Sequence, residues 1–460
     1  MSIAVRANTA QAPFRGHNLQ RAAPALRGYW GGSWIASVLA LSFIMIRVGE
    51  VLGPVRQLKP VFSVTLLLLL IHIFGTGAAA WKSIRTNVTF QLAVAVGVCI
   101  CLSVPFSIWK GQSVSTMMTL PWSLSLVALL SLNIPNLRNF DRVLMLATWV
   151  AALTAVALVS QGAVVEGSRL TSLGSYDPND LGALFVIMIP FAIGASTRGP
   201  KLSRLVSAVS AAVLFAVLMK TGSRGGLIGL VVGLSVFSFS YRPRKILIIL
   251  SAIIVLAPLT WPLLPTVTKE RAVSLLSLDE DYNTTSNSGR LYLWKRGVVF
   301  ALANPLVGLG AGTFEVQIGE DFRDQGTRGA WHTAHNTYVQ IFAEIGMPGG
   351  ILLLALMGRS VCNSAAFWSW RTRTHRPELL ASLAAYLSAI VFLSHGYSYI
   401  LWGVIGIAAM TEQLRRSHFS RTSVIGGPAE ATRLAQGRSA YARVAVRPFV
   451  RIISRSGPRP

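Results

Sequence analysis

The sequence predicts an all-α, polytopic membrane protein with about twelve transmembrane helices and one large loop facing away from the cytoplasm. Four observations carry that prediction. Of 460 residues, 52% are hydrophobic and only 13% are charged, with mean hydropathy +0.55, whereas soluble domains carry about 25% charged residues. The apolar residues come in runs close to the ~20 needed to cross a bilayer as a helix. The alternating ten-residue pattern of a membrane barrel is absent, so helices are expected to do the spanning. Finally, Lys and Arg are confined to the gaps between apolar runs and to the two tails, which is a topology signal.

Taken in order, residues 1–29 form a polar arm carrying Arg6, Arg15, Arg21 and Arg27. No long apolar core precedes Trp30, so a cleaved signal peptide is not expected. Nine spans are expected within 30–264, at 30–46, 61–81, 88–108, 113–132, 143–161, 181–197, 203–219, 225–240 and 246–264. Pro121 and Pro190 interrupt the fourth and the sixth. Residues 265–335 form the large loop, residues 336–412 hold three more spans at 336–357, 379–395 and 397–412, and 413–460 is a basic tail. With both ends inside, 28 of the 42 Lys and Arg lie on the inner side, against 7 in the short outer gaps. Short loops decide orientation, so the 265–335 loop is expected outside, in the periplasm of a bacterium, with the body in the inner membrane.

A net charge of +25 suggests nucleic acid at first, but its distribution between spans excludes that reading. The 413–460 tail reads as a disordered, topology-fixing end, with contact to anionic phospholipid as the functional alternative. Cys99, Cys101 and Cys362 form neither a disulfide framework nor a metal motif.

Chemistry-bearing residues concentrate in Asn283–Gly350. Ser288 is placed to cap a helix from Gly289 to about Ala303, ended by Asn304-Pro305. Leu291, Trp294, Val298 and Leu302 share one face of it, so it is expected to lie in the membrane interface. Arg290 starts this helix. Two other outer gaps hold a glycine-flanked arginine: Arg169 in SRLTSLGSYDPNDLG and Arg224 in KTGSRGGLIGL. Three arginines at one membrane face are expected to converge on an anion, because guanidinium forks match phosphate oxygens. His335 precedes Asn336 and the next span, whose first amides add partial positive charge. Glu344 lies about 13 Å deeper by helix rise, just before Gly346 and Pro348, where the helix is expected to break. It reads equally as a functional intramembrane acid and as a structural one that accepts from freed backbone amides or pairs with a buried cation.

Other signals are set aside. The GxGxG at Gly308, Gly310 and Gly312 follows no strand, so a nucleotide site is not expected. Asp279-Glu280-Asp281 resembles a metal-holding Asp-x-Asp but sits on the outer side, away from nucleotide sugars. His332 and His335 lack a third ligand, so no metal and no cofactor are expected.

Four segments, in order over about residues 165–355, resemble the O-antigen ligase and polysaccharide polymerase superfamily of bacterial membrane glycosyltransferases. They are Arg169 with GSYDPNDLG, TGSRGG around Arg224, SGRLYLWKRGVVFALANPLVGLGAGTF with Arg290, and AHNTYVQIFAEIGMPGG with His335 and Glu344. The resemblance implies a metal-independent transferase acting at the periplasmic face. Its donor would be a saccharide on undecaprenyl diphosphate. Its acceptor would be lipid A–core, a second lipid-linked saccharide or a protein hydroxyl. It further implies that Arg224 and Arg290, with Arg169 as a third, bind the diphosphate, while His335 sits at the reaction centre, supported by Glu344 and Asn336. Whether His335 takes the acceptor proton or bonds the phosphate stays open, as does ligase against polymerase. A transporter of a lipid-linked anionic saccharide is the alternative of another class. It would require polar residues strung through the spans, where His72 and Glu344 are the clearest.

Overall fold

In the computed structural model, residues 33–46, 60–132, 136–161, 177–241, 289–324, 331–369 and 374–425 are described, with short pieces at 164–165, 169–171, 262, 266–273, 286 and 326. The 1–29 arm, the 246–264 span, the 279–281 acidic triplet, Ser288, Arg328 and the tail beyond Ile425 lie outside the described residues. The helices are α1 Ser33–Ile46, α2 Pro60–Thr76, α3 Ala78–Thr86, α4 Val88–Ser103, α5 Lys110–Met117, α6 Leu120–Leu130, α7 Leu137–Ser160, α8 Pro178–Ser196, α9 Lys201–Thr221, α10 Arg224–Phe239, α11 Thr266–Val273, α12 Arg290–Ala303, α13 Phe314–Asp324, α14 Thr337–Ala365, α15 Pro377–Ala389 and α16 Tyr399–Ile425. A two-residue antiparallel ladder, β1 Val164–Val165 with β2 Arg169–Leu170, is the one sheet among the described residues. The chain divides into units 1–414 and 415–460, and everything below concerns the first.

Every expected span inside the described residues lies on a helix, but fewer than twelve qualify as full crossings. Six stretches are long and apolar enough to span: Val88–Phe106, Lys110–Leu130, Leu137–Ser160, Pro178–Ser196, Lys201–Thr221 and Thr337–Ala365. A seventh arises if the α2–α3 pair, bent by 120°, counts as one. The helices α10 and Pro377–Phe392 are apolar but shorter. The two prolines act differently. Pro121 stands in the first turn of α6, where a missing N–H costs nothing. Pro190 is buried inside α8, which continues through it.

Caps explain why the chain turns where it does. The Asp177 side chain accepts from the amides of Asn179 and Asp180 and starts α8, helped by Pro178. Gly222, at φ 57°, ends α9, and Ser223 accepts from Gly226 N to start α10 at once. In α10, Gly229 and Gly233 let the helix lie directly on Ala381, Ala385 and Ala389 of α15, the small-residue contact that membrane helices use in place of hydrophobic burial.

The expected break in α14 falls at Ile345 and Gly346, the latter at φ 74°. Pro348 has no N–H, so Glu344 O loses its helical donor; Gly310 N supplies one at 2.9 Å. Met347 N turns to Pro305 O at 2.7 Å, which frees Ala343 O to accept from Leu309 N at 2.9 Å. The GLGAG run is therefore a docking loop that satisfies the broken helix. Its glycines adopt φ 69°, 108° and 77° at positions 308, 310 and 312. A Cβ on Gly310 would fall deep inside the radius of Ser107. Gly310→Ala is expected to lower stability in detergent by at least the ~1–3 kcal/mol of backbone strain, read as a fall in the unfolding midpoint. Gly358→Ala, on open helix surface, should be neutral or stabilising.

Candidate active site

Helices α8, α9, α10, α12, α14 and α15 bring one of their ends to the same face of the bundle. The buried Arg169 side chain is fixed there twice: Nε donates to Thr221 O at the end of α9, and a terminal nitrogen donates to Asn179 Oδ1 at the start of α8, both at 3.0 Å. Asn179 in turn lines a narrow cleft with Ser223, Arg224, Arg290 and Phe392. Arg224 is the first residue of α10 and Arg290 the first of α12. The Arg290 guanidinium lies 6.0 Å from the Phe392 ring centroid. The three arginines named from sequence thus converge, two directly on one cleft and Arg169 through Asn179. Each stands beside a helix start or end, and the starts of α8 and α10 add the positive ends of their dipoles.

His335 stands just before α14. It has φ 46°, the one positive value at a non-glycine among the described residues. Its N–H donates to Ser394 Oγ at 2.8 Å. Strained backbone of this kind costs about 1–3 kcal/mol and persists where the surroundings hold it. Burial first, then the positive charges of Arg290 and His332, lower the imidazole from 6.5 to about 4, with Asp180 acting in the opposite direction. His335 is therefore neutral at physiological pH and close enough to Arg290 to feel its charge.

Asn336 is the N-cap of α14, its Oδ1 accepting from Tyr338 N at 3.0 Å and Val339 N at 3.1 Å. Glu344 is buried below, where its carboxylate accepts from Gly312 N and Phe314 N at 3.0 Å and faces Gln340. Both side chains hold the scaffold under His335: Asn336 orients the helix start, and Glu344 pins the GLGAG loop. Glu344 thus accepts from amides at Gly312 and Phe314, not from amides freed in its own helix.

The interfacial helix differs from expectation in detail. The N-cap of α12 is Gly289. Leu293, Gly297, Phe300 and Ala301 face the protein, with Gly297 against Val339 and Phe314. Leu291, Val298 and Leu302 of the expected apolar face point outward. Arg296 is engaged by Asp321 of α13 at 2.7 Å rather than by the cleft.

Sequence reasoning missed Asp180 and His395. His395 Nε2 lies 2.8 Å from Asp180 Oδ1, and its Nδ1 lies 3.1 Å from Tyr386 Oη. His395 N–H also bonds Thr337 Oγ1 at 2.9 Å. This set ties α8, α14 and α15 together directly behind His335. The available signals were the acid beside Asn179 at a helix start and a histidine at the break between two short spans.

Residues 209–354 match the family model described as O-antigen ligase. The match covers less than half of the chain and supports a likeness to the O-antigen ligase and polysaccharide polymerase superfamily. It contains Arg224, Arg290, His335 and Glu344, while Arg169 lies before it. The chain is also 36% identical over 77 residues to the exopolysaccharide production protein ExoQ of Rhizobium meliloti (strain 1021), a match covering 15% of this chain and 17% of that protein. The matched stretch and the apolar helices together support a multi-pass bacterial membrane protein.

Proposed function

We propose that the protein is a metal-independent glycosyltransferase of the inner membrane that moves a saccharide from undecaprenyl diphosphate to an acceptor hydroxyl at the periplasmic face. The observation that carries this reading is the convergence of Arg224 and Arg290 on one cleft, braced by Arg169 and Asn179 and flanked by a neutral His335. In the reaction, the acceptor oxygen bonds to the anomeric carbon as the bond from that carbon to the diphosphate oxygen breaks. Charge develops on the leaving diphosphate, where fixed guanidiniums stabilise it without reorganising. The acceptor proton passes to a His335 ring nitrogen when the imidazole acts as base.

The family match favours a ligase with lipid A–core as acceptor. The likeness to an exopolysaccharide production protein favours the second reading, a polymerase whose acceptor is another lipid-linked saccharide. Mass spectrometry of saccharides from cells lacking the protein separates them. Loss of capped lipopolysaccharide marks a ligase, and accumulation of single lipid-linked repeats marks a polymerase. Unchanged saccharides in both pools would sink the transferase reading. Transfer by the purified protein should survive excess EDTA, because arginines take the cation's place; loss restored by Mg²⁺ or Mn²⁺ would return Asp279-Glu280-Asp281 to the mechanism.

Orientation has its own test. A reporter fused after Arg328 should be active outside the cytoplasm, and one after Arg438 inside it, following the 28-against-7 distribution of Lys and Arg. The opposite pattern would move the cleft to the wrong side for a periplasmic donor.

A further inference from the structure

A second cavity lies at the other end of the same helices. Asn179 at the arginine cleft and Ala195 at this cavity are on α8, Thr221 and Ser203 are on α9, and Phe392 and Glu378 sit at opposite ends of the Pro377–Phe392 segment. Helix α8, with 19 residues, is about 28 Å long at 1.5 Å per residue, close to the ~30 Å of a hydrocarbon core. The two sites therefore belong to opposite membrane faces.

The cavity holds about 540 Å³. Its walls are of two kinds. Leu144, Met145 and Phe191 make an apolar side within the helices, while Arg138, Arg142, Arg198 and Arg376 stand at the helix ends with Asp141 and Glu378. The carboxylates account for two of the cations: Arg376 holds Asp141 through two bonds of 2.7 Å, and Arg198 pairs with Glu378. Arg138 and Arg142 have no carboxylate partner among the described residues; Arg142 donates to Asn139 Oδ1 at 3.3 Å and lies 5.9 Å from the Trp34 ring centroid. Arg198 Nε and Glu378 Oε2 are buried in its wall without a hydrogen-bond partner among the described residues. The site thus offers two guanidiniums without a carboxylate partner, with Arg198 beside them, next to an apolar slot at the helix ends.

We propose that this cavity is a binding site for an anionic glycerophospholipid. Its phosphate is held by Arg138 and Arg142, its headgroup hydroxyls face Arg198 and Glu378, and an acyl chain lies along Leu144, Met145 and Phe191. A soluble phosphate would use the arginines but not the slot. Basic pockets between helix ends are the sites where acidic headgroups lodge. This inference is independent of the transferase reading, because it concerns the opposite end of the bundle.

The test uses the full-length protein in neutral detergent at 0.5 M NaCl, where loose contacts to the basic tail are screened. Short-chain phosphatidylglycerol should bind saturably and raise the unfolding temperature, and phosphatidylcholine of the same chain length should not. The double variant Arg138→Gln/Arg142→Gln should lose at least tenfold in affinity. Ala195→Trp, which narrows the cavity while keeping all four arginines, should abolish the effect and keeps the test decisive if the double variant folds poorly. Millimolar inorganic phosphate should fail to compete. Equal binding of phosphatidylcholine, unchanged affinity in both variants, or full displacement by phosphate would overturn the proposal, the last by marking a soluble-anion site.

Discussion

His335→Ala is expected to abolish saccharide transfer while leaving the lipid-linked donor bound, because in the proposed reaction Arg224 and Arg290 carry the main contact to the diphosphate. The pH profile of the parent then assigns the role. With the imidazole lowered to about 4 by burial, Arg290 and His332, a general base is neutral and competent across neutral pH. The free-enzyme quantity kcat/KM should stay level as pH falls and decline only as it passes about 4, well below the ~6.5 of an unperturbed imidazole. Bound diphosphate brings negative charge to Arg290 and offsets its influence, so the acid limb of kcat should lie above that of kcat/KM. Arg290→Gln should likewise move the kcat/KM limb upward in its residual activity. An imidazolium donating to phosphate predicts the reverse, a rate that rises as pH falls toward 4. Full activity in His335→Ala would reduce the residue to a strained turn ahead of α14.

Arg224→Lys and Arg290→Lys come next in expected effect. Lysine keeps the charge but is a point cation that cannot present two parallel N–H donors to a phosphate. Each substitution is expected to cost on the order of 10²-fold in kcat, the effect of removing one preorganised donor to a developing anion, with protein level and unfolding temperature near the parent's. The pair should lose less than the product of the single losses if both contact one diphosphate, since residues acting as a unit are not additive. Arg169→Lys tests the brace instead. It breaks the bridge from Thr221 to Asn179 and should lower stability along with rate. Lysine variants as active as the parent would demote Arg224 and Arg290 to interfacial charges.

Much of this protein is legible in its sequence because the membrane makes strict local demands. A spanning helix must satisfy its own backbone and stay apolar over most of its length, so helical class follows from composition and run length alone, whereas the number of full crossings does not. The guanidiniums of Arg169, Arg224 and Arg290 are also conspicuous, since charge is rare in such a chain and here it gathers at helix ends. Other features depend on contacts between segments far apart in the chain. No local pattern joins Asp180 to His395 across 215 positions, or makes Glu344 the acceptor for amides of a loop thirty residues earlier. The run Gly308-Leu309-Gly310-Ala311-Gly312 reads alone as a weak nucleotide motif. Only packing against the break at Gly346 and against Ser107 explains why glycine stands there. Hydropathy likewise cannot distinguish the two sides of α12, where Leu293 and Gly297 face the protein while Leu291 and Leu302 point outward. The sequence by itself determined that this chain is a helical membrane body with arginines and a histidine at one face, because apolarity and charge are local properties. The tertiary structure alone decided which residues share a cleft and which serve as braces, because hydrogen bonds between distant helix ends leave no periodic trace in the chain.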